Sequence, residues 1–173
     1  VASGAVERHA VFPGNDLPGV WLGRGASRLA GVHGLTPGRV IVVATNTLEG
    51  LRHLDVLCRH AGRQRDAAVV AALVPAALAS RVPAGVEVIA DGTVVAASGS
   101  GALHSVVVEA AGHRRTVPCD TLVLSLGLEP RDGLLRQAEL ESVRSAGDVV
   151  HPGCSAEEAE ASGRRTADAA ATP

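Results

Sequence analysis

Val40-Ile41-Val42-Val43-Ala44-Thr45-Asn46-Thr47-Leu48-Glu49-Gly50-Leu51 is the stretch that decides how this chain folds. Val40 to Ala44 is a continuous apolar run rich in β-branched residues, the composition of a parallel strand buried on both faces. From Leu48 onward apolar side chains recur at 48, 51, 54, 57, 58 and 61, one stripe of a helix that Gly62 can end. Ala67 to Val74 is a second apolar run of strand length. Strand, helix and strand in this order predict a right-handed βαβ unit and an α/β fold.

The turn inside that unit overlays the glycine fingerprint of dinucleotide sites, G-x-G-x-x-G, position by position. Thr45 stands at the first glycine, Thr47 at the second, and only Gly50 keeps its residue type; Asn46 lies between the threonines. The first glycine serves the tight turn, the second lets a pyrophosphate reach the backbone, and the third lets helix and strand pack closely. Two readings are open: a nucleotide turn working through hydroxyls and helix N–H groups, or an empty Rossmann-like turn. The ribose acid that usually follows the second strand is absent, since that strand ends Leu73-Val74-Pro75, and no cluster of Arg stands nearby for a 2′-phosphate.

On either side the signals are shorter. Residues 1–20 read as loop, with turns at Pro13-Gly14-Asn15-Asp16 and Leu17-Pro18-Gly19, and 25–33 as a short helix. A short helix over 76–82 stops at Pro83, and Val86 to Ile89 is a third strand. Val94–Ala97 and Leu103–Glu109 flank Ser98-Gly99-Ser100-Gly101 as a hairpin, and Thr121–Ser125 is another buried strand. Ser155 with Glu158 forms a capping box that opens a helix to about Ala170.

Composition narrows the function classes. The 173 residues carry a net charge of −2, one Trp, one Phe and no Tyr, so there is neither the basic stripe nor the stacking surface of a nucleic-acid binder. All 16 basic residues are Arg, which excludes a Schiff-base or P-loop lysine within the chain. No apolar run reaches the ~18 residues of a membrane span. Cys58, Cys119 and Cys154 are scattered, without a disulfide framework, and predict a reducing, cytoplasmic setting. No Met occurs, which reads as a processed or partial chain. His151-Pro152-Gly153-Cys154 lacks the second ligand pair a zinc site needs, so no metal is expected. His53 and His60 read as solvated on one helix face, Trp21 as a packing residue, and Glu157, Glu158 and Glu160 as a charged helix face.

Three further segments carry a resemblance. Ala2-Ser3-Gly4-Ala5-Val6-Glu7-Arg8 resembles the Ala-Thr-Gly-Ala-x-Glu-Arg turn of FAD/NAD(P)-dependent oxidoreductases of the pyridine nucleotide-disulfide type. Cys119-Asp120-Thr121 running to Gly127-Leu128-Glu129-Pro130 resembles their Cys-Asp-Thr segment, and Ala146-Gly147-Asp148 followed by Glu157-Glu158-Ala159 resembles their C-terminal flavin segment. The likeness is greatest to the flavoprotein subunits of sarcosine oxidase and of amine or opine dehydrogenases. It implies a two-dinucleotide-binding fold: residues 1–37 as part of an FAD-type domain, 38–120 as a Rossmann-like NAD(P)-type subdomain inserted in it, and 121–173 as the return to the FAD-type domain.

That resemblance also implies roles. Asp148, with Gly147, would bond the ribityl or pyrophosphate region of FAD, and the helix from Ser155 would aim its N-terminus at the flavin. Ala2, Ser3, Gly4 and Gly127 join them as cofactor-binding residues, and Thr45, Asn46, Thr47 and Gly50 would meet NAD(P) if it binds. His151 either lines the flavin pocket or lies on a surface loop. The expected partners are a small-molecule substrate with an oxidisable C–N bond and an FAD-gripping half or subunit upstream of Val1. Asp148 is expected to face water when the chain is alone. Between Glu141 and Gly147 the chain is shorter than its relatives, and no Cys-x-x-Cys is present, so dithiol reduction is not expected. The competing reading is a non-catalytic Rossmann-like scaffold or subunit-interaction domain whose nucleotide sites have decayed.

Overall fold

The computed structural model describes residues 1–64, 66–138 and 143–171. Along the chain run β1 (Ala5–Glu7), β2 (Val20–Leu22), α1 (Gly23–His33), β3 (Val40–Thr45), α2 (Leu48–Ala61), β4 (Ala68–Val74), β5 (Glu87–Ala90), β6 (Thr93–Gly99), β7 (Leu103–Ala110), β8 (His113–Pro118), β9 (Thr121–Ser125), β10 (Leu128–Pro130), α3 (Gly133–Ala138) and α4 (Ala156–Ala171). Short 3₁₀ turns cover Ala76–Arg81 and Gly147–Val149. Two compact units result: His9–Gly127, and Val1–Arg8 with Leu128–Pro173.

The His9–Gly127 unit is layered around a five-stranded parallel sheet ordered β2-β9-β3-β4-β5. Alternation along the strands sets the layers. Ile41, Val43, Ala72 and Val123 pack against Ala26, Ala30, Leu54 and Leu57 of the two helices. Val42, Ala44, Leu73, Leu122 and Leu124 face the other way, onto Val106, Val108 and Leu103 of a three-stranded antiparallel sheet β6-β7-β8. A strand covered on both sides must be apolar throughout, which is why Val40–Ala44 shows no period-two alternation. Trp21 packs half-buried on the helical side.

The Cys-Asp-Thr segment has a structural use here. The Asp120 carboxylate accepts hydrogen bonds from the Arg39 and Val40 N–H groups, each at 3.0 Å, and from the Thr121 hydroxyl at 3.0 Å. It therefore ties the start of β3 to the start of β9. A Cβ at Gly38 would overlap Thr121 Oγ1, so glycine is required where the two strands meet.

The structure adds elements absent from the sequence reading. β1 falls in the stretch read as loop, β2 starts at its last residue, and β8 forms from His113-Arg114-Arg115-Thr116-Val117-Pro118, whose side chains are mostly exposed. β8 is held by its ladder to β7 rather than by a hydrophobic face. Gly62 does end α2, but in a right-handed conformation (φ −63°) rather than the left-handed cap glycine usually supplies.

The second unit is built differently. β1 and β10 form a two-stranded antiparallel ribbon, extended by the Arg131 N–H bond to the Gly4 carbonyl (2.9 Å) and the Ser3 hydroxyl bond to the Arg131 carbonyl (2.6 Å). Among its described residues only Gly147, Val149 and Ser162 are buried. Of the shortened segment, Glu141 and Ser142 lie outside the described residues.

Candidate functional site

Two places collect the residues singled out above, one in each unit. The first is the β3–α2 turn. Thr45, 3% exposed, donates its hydroxyl to the Ser125 carbonyl (2.8 Å) and accepts the Thr47 N–H (3.2 Å). Thr47 is the N-cap of α2: in extended conformation, its hydroxyl accepts the Gly50 N–H at 3.0 Å. Glu49 sits in the first turn and pairs with Arg24 at 3.0 Å.

Gly50 keeps the packing function of the third fingerprint glycine. A Cβ there would overlap the Thr45 hydroxyl and press on Ser125. Gly127, left-handed at φ +90°, lies alongside Thr47. His53 is not simply solvated. Its Nδ1 lies 2.9 Å from Ser125 Oγ, half-buried, in a space kept open by Gly23. Here too the helix periodicity was informative, since position 53 follows Gly50 by one turn and so faces the same strand end.

This turn differs from a phosphate cradle in a definite way. A fingerprint turn leaves backbone N–H groups free for oxygen ligands. Here the Thr45 and Thr47 hydroxyls already take the N–H groups of Thr47 and Gly50. The first-turn carboxylate of Glu49, paired with Arg24, also occupies the positive end of the helix.

Next to the turn, at the carboxyl ends of β3, β4 and β9, lies a cleft of about 330 Å³. Open α/β sheets place ligands at such strand ends. Its walls are mainly apolar, from Ala44, Leu73, Val94, Leu124 and Leu126, and its lining contains Asn46 and Asp91 but no Arg or His. Asp91 is a residue the sequence reading passed over. It arrives from the turn after β5, yet its N–H bonds the Val74 carbonyl (2.8 Å) and its Oδ1 accepts the Ala76 N–H (2.9 Å). A carboxylate thus stands at the end of β4, where the linear sequence offers only Pro75.

The second place is the Gly-Asp turn. Gly147 is left-handed (φ +75°) and donates its N–H to Ser162 Oγ of α4 at 3.2 Å. Asp148 does not simply face water: its Oδ1 accepts the Gly153 N–H (3.1 Å) and the Cys154 S–H (3.2 Å), closing the 148–154 loop. The bond to Asp148 is the main reason the Cys154 thiol titrates above its usual range. The capping box of α4 is in place, with the Ser155 N–H on Glu158 Oε2 (2.7 Å) and the Glu158 N–H on Ser155 Oγ (3.2 Å). Those bonds hold the Glu158 carboxyl below the ordinary glutamate range. Beside the loop, a pocket of about 670 Å³ is lined by His151, Gly153, Cys154, Glu158, Ser162 and Arg165.

Fit to the two expected cofactors differs between these places. The pocket beside the Gly-Asp turn offers the Arg165 guanidinium, the His151 imidazole and the Glu158 carboxylate to a polyhydroxyl group, and Asp148 stands behind its Gly153 wall. The β3–α2 turn offers a pyrophosphate neither a cation in its cleft nor the N–H groups that the threonines have taken. Among the described residues, no three His, Cys, Asp or Glu side chains come close enough to hold a metal ion, and no helix is long and apolar enough to cross a membrane. Burial, with the charge of Asp55 or Asp120 beside it, raises the thiols of Cys58 and Cys119 to about 11, so neither supplies a thiolate at neutral pH.

Parallel sheet, antiparallel meander, ribbon and C-terminal helix together make the two-dinucleotide-binding fold of FAD- and NAD(P)-dependent disulfide oxidoreductases. The thioredoxin reductase of Lactococcus lactis superimposes over 98% of this chain and 63% of its own, with a TM-score of 0.74 at 17% identity. In sequence the chain is similar to sarcosine oxidase subunit alpha. It is 34% identical over 143 residues to that of Corynebacterium sp. (strain P-1) and 29% over 136 to that of Rhizobium meliloti (strain 1021), covering 75% of this chain in each case. The matched stretch spans only 14% and 13% of those relatives. No family model matches the chain.

Proposed function

We propose that this chain is part of a flavin-dependent oxidoreductase that oxidises a C–N bond of an amine or amino acid, with the FAD pyrophosphate gripped by a segment or subunit outside it. The observation that carries this reading is the Gly147–Asp148 turn, seated on Ser162 of α4 beside a pocket that holds Arg165 and His151. Its occurrence in a two-dinucleotide-binding fold adds support, as does the likeness to sarcosine oxidase alpha subunits.

In this reading the Asp148 oxygen left over from the loop accepts a hydroxyl of FAD, and Gly147 keeps the turn tight against α4. Ala2, Ser3 and Gly4 would join them as cofactor-binding residues. FAD, when bound, supplies the two-electron chemistry; the protein orients it and sets its electrostatics. The NAD(P)-type subdomain, residues 38–120, lies within the His9–Gly127 unit and no longer grips a dinucleotide, because Thr45 and Thr47 close its turn.

That closure also supports a second reading, a scaffold with decayed nucleotide sites. Flavin content separates the two. The chain alone should purify colourless. Co-expressed with the FAD-gripping segment, it should yield a stoichiometric flavin spectrum. A complete assembly that never holds flavin would favour the scaffold, and a yellow isolated chain would overturn the division of labour.

A further inference from the structure

The cleft at the ends of β3, β4 and β9 has lost its phosphate partners but not its other half. Its apolar walls, Ala44, Leu73, Val94, Leu124 and Leu126, suit a flat ring system, and at about 330 Å³ it is of the size small-molecule sites begin at. At its rim Asp91 stands in the left-handed region (φ +51°), a conformation that few residues but glycine, Asn and Asp take readily. Two bonds hold it there: its N–H on the Val74 carbonyl and the Ala76 N–H on its Oδ1. Among the described residues its Oδ2 has no partner, and neither does the Asn46 amide. A carboxylate with a free oxygen, fixed at the end of the strand after the first βα unit, is the group that bonds a ribose diol.

We propose that this cleft binds an unphosphorylated nucleoside, with the base between the apolar walls and the 2′,3′-diol on Asp91, and that it discriminates against phosphorylated forms. The discrimination follows from what surrounds the 5′ side. The Thr45 and Thr47 hydroxyls take the Thr47 and Gly50 N–H groups, Arg24 is engaged by Glu49, and the cleft lining contains no cationic side chain. A phosphate placed there loses its water shell without gaining a cation from the cleft lining, a cost that a 5′-hydroxyl does not carry. The inference rests on reading the His9–Gly127 unit as the dinucleotide-type half, and it does not depend on flavin.

The test is calorimetric titration of the 173-residue chain with adenosine, AMP, NADH and 2′,3′-dideoxyadenosine, beside the Asp91→Asn variant. Asn tolerates the same backbone and still offers an oxygen to Ala76, so the variant should keep its fold, which its melting temperature checks. Adenosine should bind saturably, with AMP, NADH and the dideoxy compound each at least about tenfold weaker, and Asp91→Asn should weaken adenosine by about tenfold. AMP or NADH binding as tightly as adenosine, an Asp91→Asn variant that binds adenosine normally, or no adenosine binding at all would each overturn the proposal. None of these outcomes bears on flavin content, so the oxidoreductase reading stands or falls separately.

Discussion

The two glycine turns of this protein end in opposite states. At the β3–α2 turn, threonine hydroxyls stand where the fingerprint has two glycines, and they take the Thr47 and Gly50 N–H groups from within. At the Gly147–Asp148 turn, the glycine keeps its left-handed conformation, and a cation and an imidazole line the adjoining pocket. The surroundings differ in the same sense. The closed turn sits on a sheet buried on both faces, whereas the other unit buries only Gly147, Val149 and Ser162 among its described residues. A well-built core therefore carries the turn least suited to a ligand. The turn with the functional groups sits where little besides backbone bonds and one helix contact holds the chain.

The largest effect expected from this difference is in stability. Leu122→Ala empties a fully buried site at the centre of the parallel sheet and should cost about 2–5 kcal/mol in denaturant unfolding. Leu134→Ala, at a side chain 81% exposed in the other unit, should stay within about 0.5 kcal/mol. Comparable losses at both positions would erase the contrast.

Gly50→Ala comes next. Alanine gains helix propensity of about 1 kcal/mol, but its Cβ would overlap Thr45 Oγ1, which its bond to Ser125 holds in place. Overpacking of this kind should win, for a net destabilisation of about 1–2 kcal/mol in thermal unfolding. A stabilised variant would show that Thr45 moves freely and that the turn is not closed as described.

Asp148→Asn should speed alkylation of Cys154 by iodoacetamide several-fold or more near pH 8, because the carboxylate that keeps the thiol protonated loses its charge. Peptide mapping with time resolves this site from Cys58 and Cys119. An unchanged rate would separate Asp148 from the loop it is described as closing.

The smallest effect concerns α4. Glu158 titrates below the ordinary glutamate range because Ser155 bonds its ionised form. A depressed carboxyl contributes stability above its unfolded pKa and loses it as pH falls through the folded one. The first turn of α4 should therefore loosen only in acid, from the ordinary glutamate range downward, and Glu158→Gln should flatten that dependence. Helix-resolved hydrogen exchange against pH measures it.

Much of the fold was readable before any coordinates. The apolar run at 40–44, the stripe from 48 to 61 and the capping box at Ser155 each report a local cause: two-sided burial, one-sided burial and a pair of reciprocal bonds. What escaped had no local cause. β8 is a polar strand that exists because β7 offers it a ladder, and β2 is three residues held parallel to β9. The site was legible as positions but not as states. The sequence offered hydroxyls where glycines belong, and only the structure discloses that they are spent on Thr47, Gly50 and Ser125. Asp91 was invisible for a related reason, since the turn after the neighbouring strand β5 carries it to the end of β4.

The Gly147–Asp148 turn on the flavin side, not the β3–α2 turn, is the one proposed to hold a dinucleotide cofactor. The flavin content of the complete assembly with Asp148→Ala tests it most directly. A charge-assisted bond from FAD to Asp148 is worth roughly 1.5–3 kcal/mol, so the variant should retain flavin with an affinity about one to two decades lower. If Asp148→Ala holds flavin as tightly as the unmodified assembly, the Gly-Asp assignment is wrong and the scaffold reading takes its place.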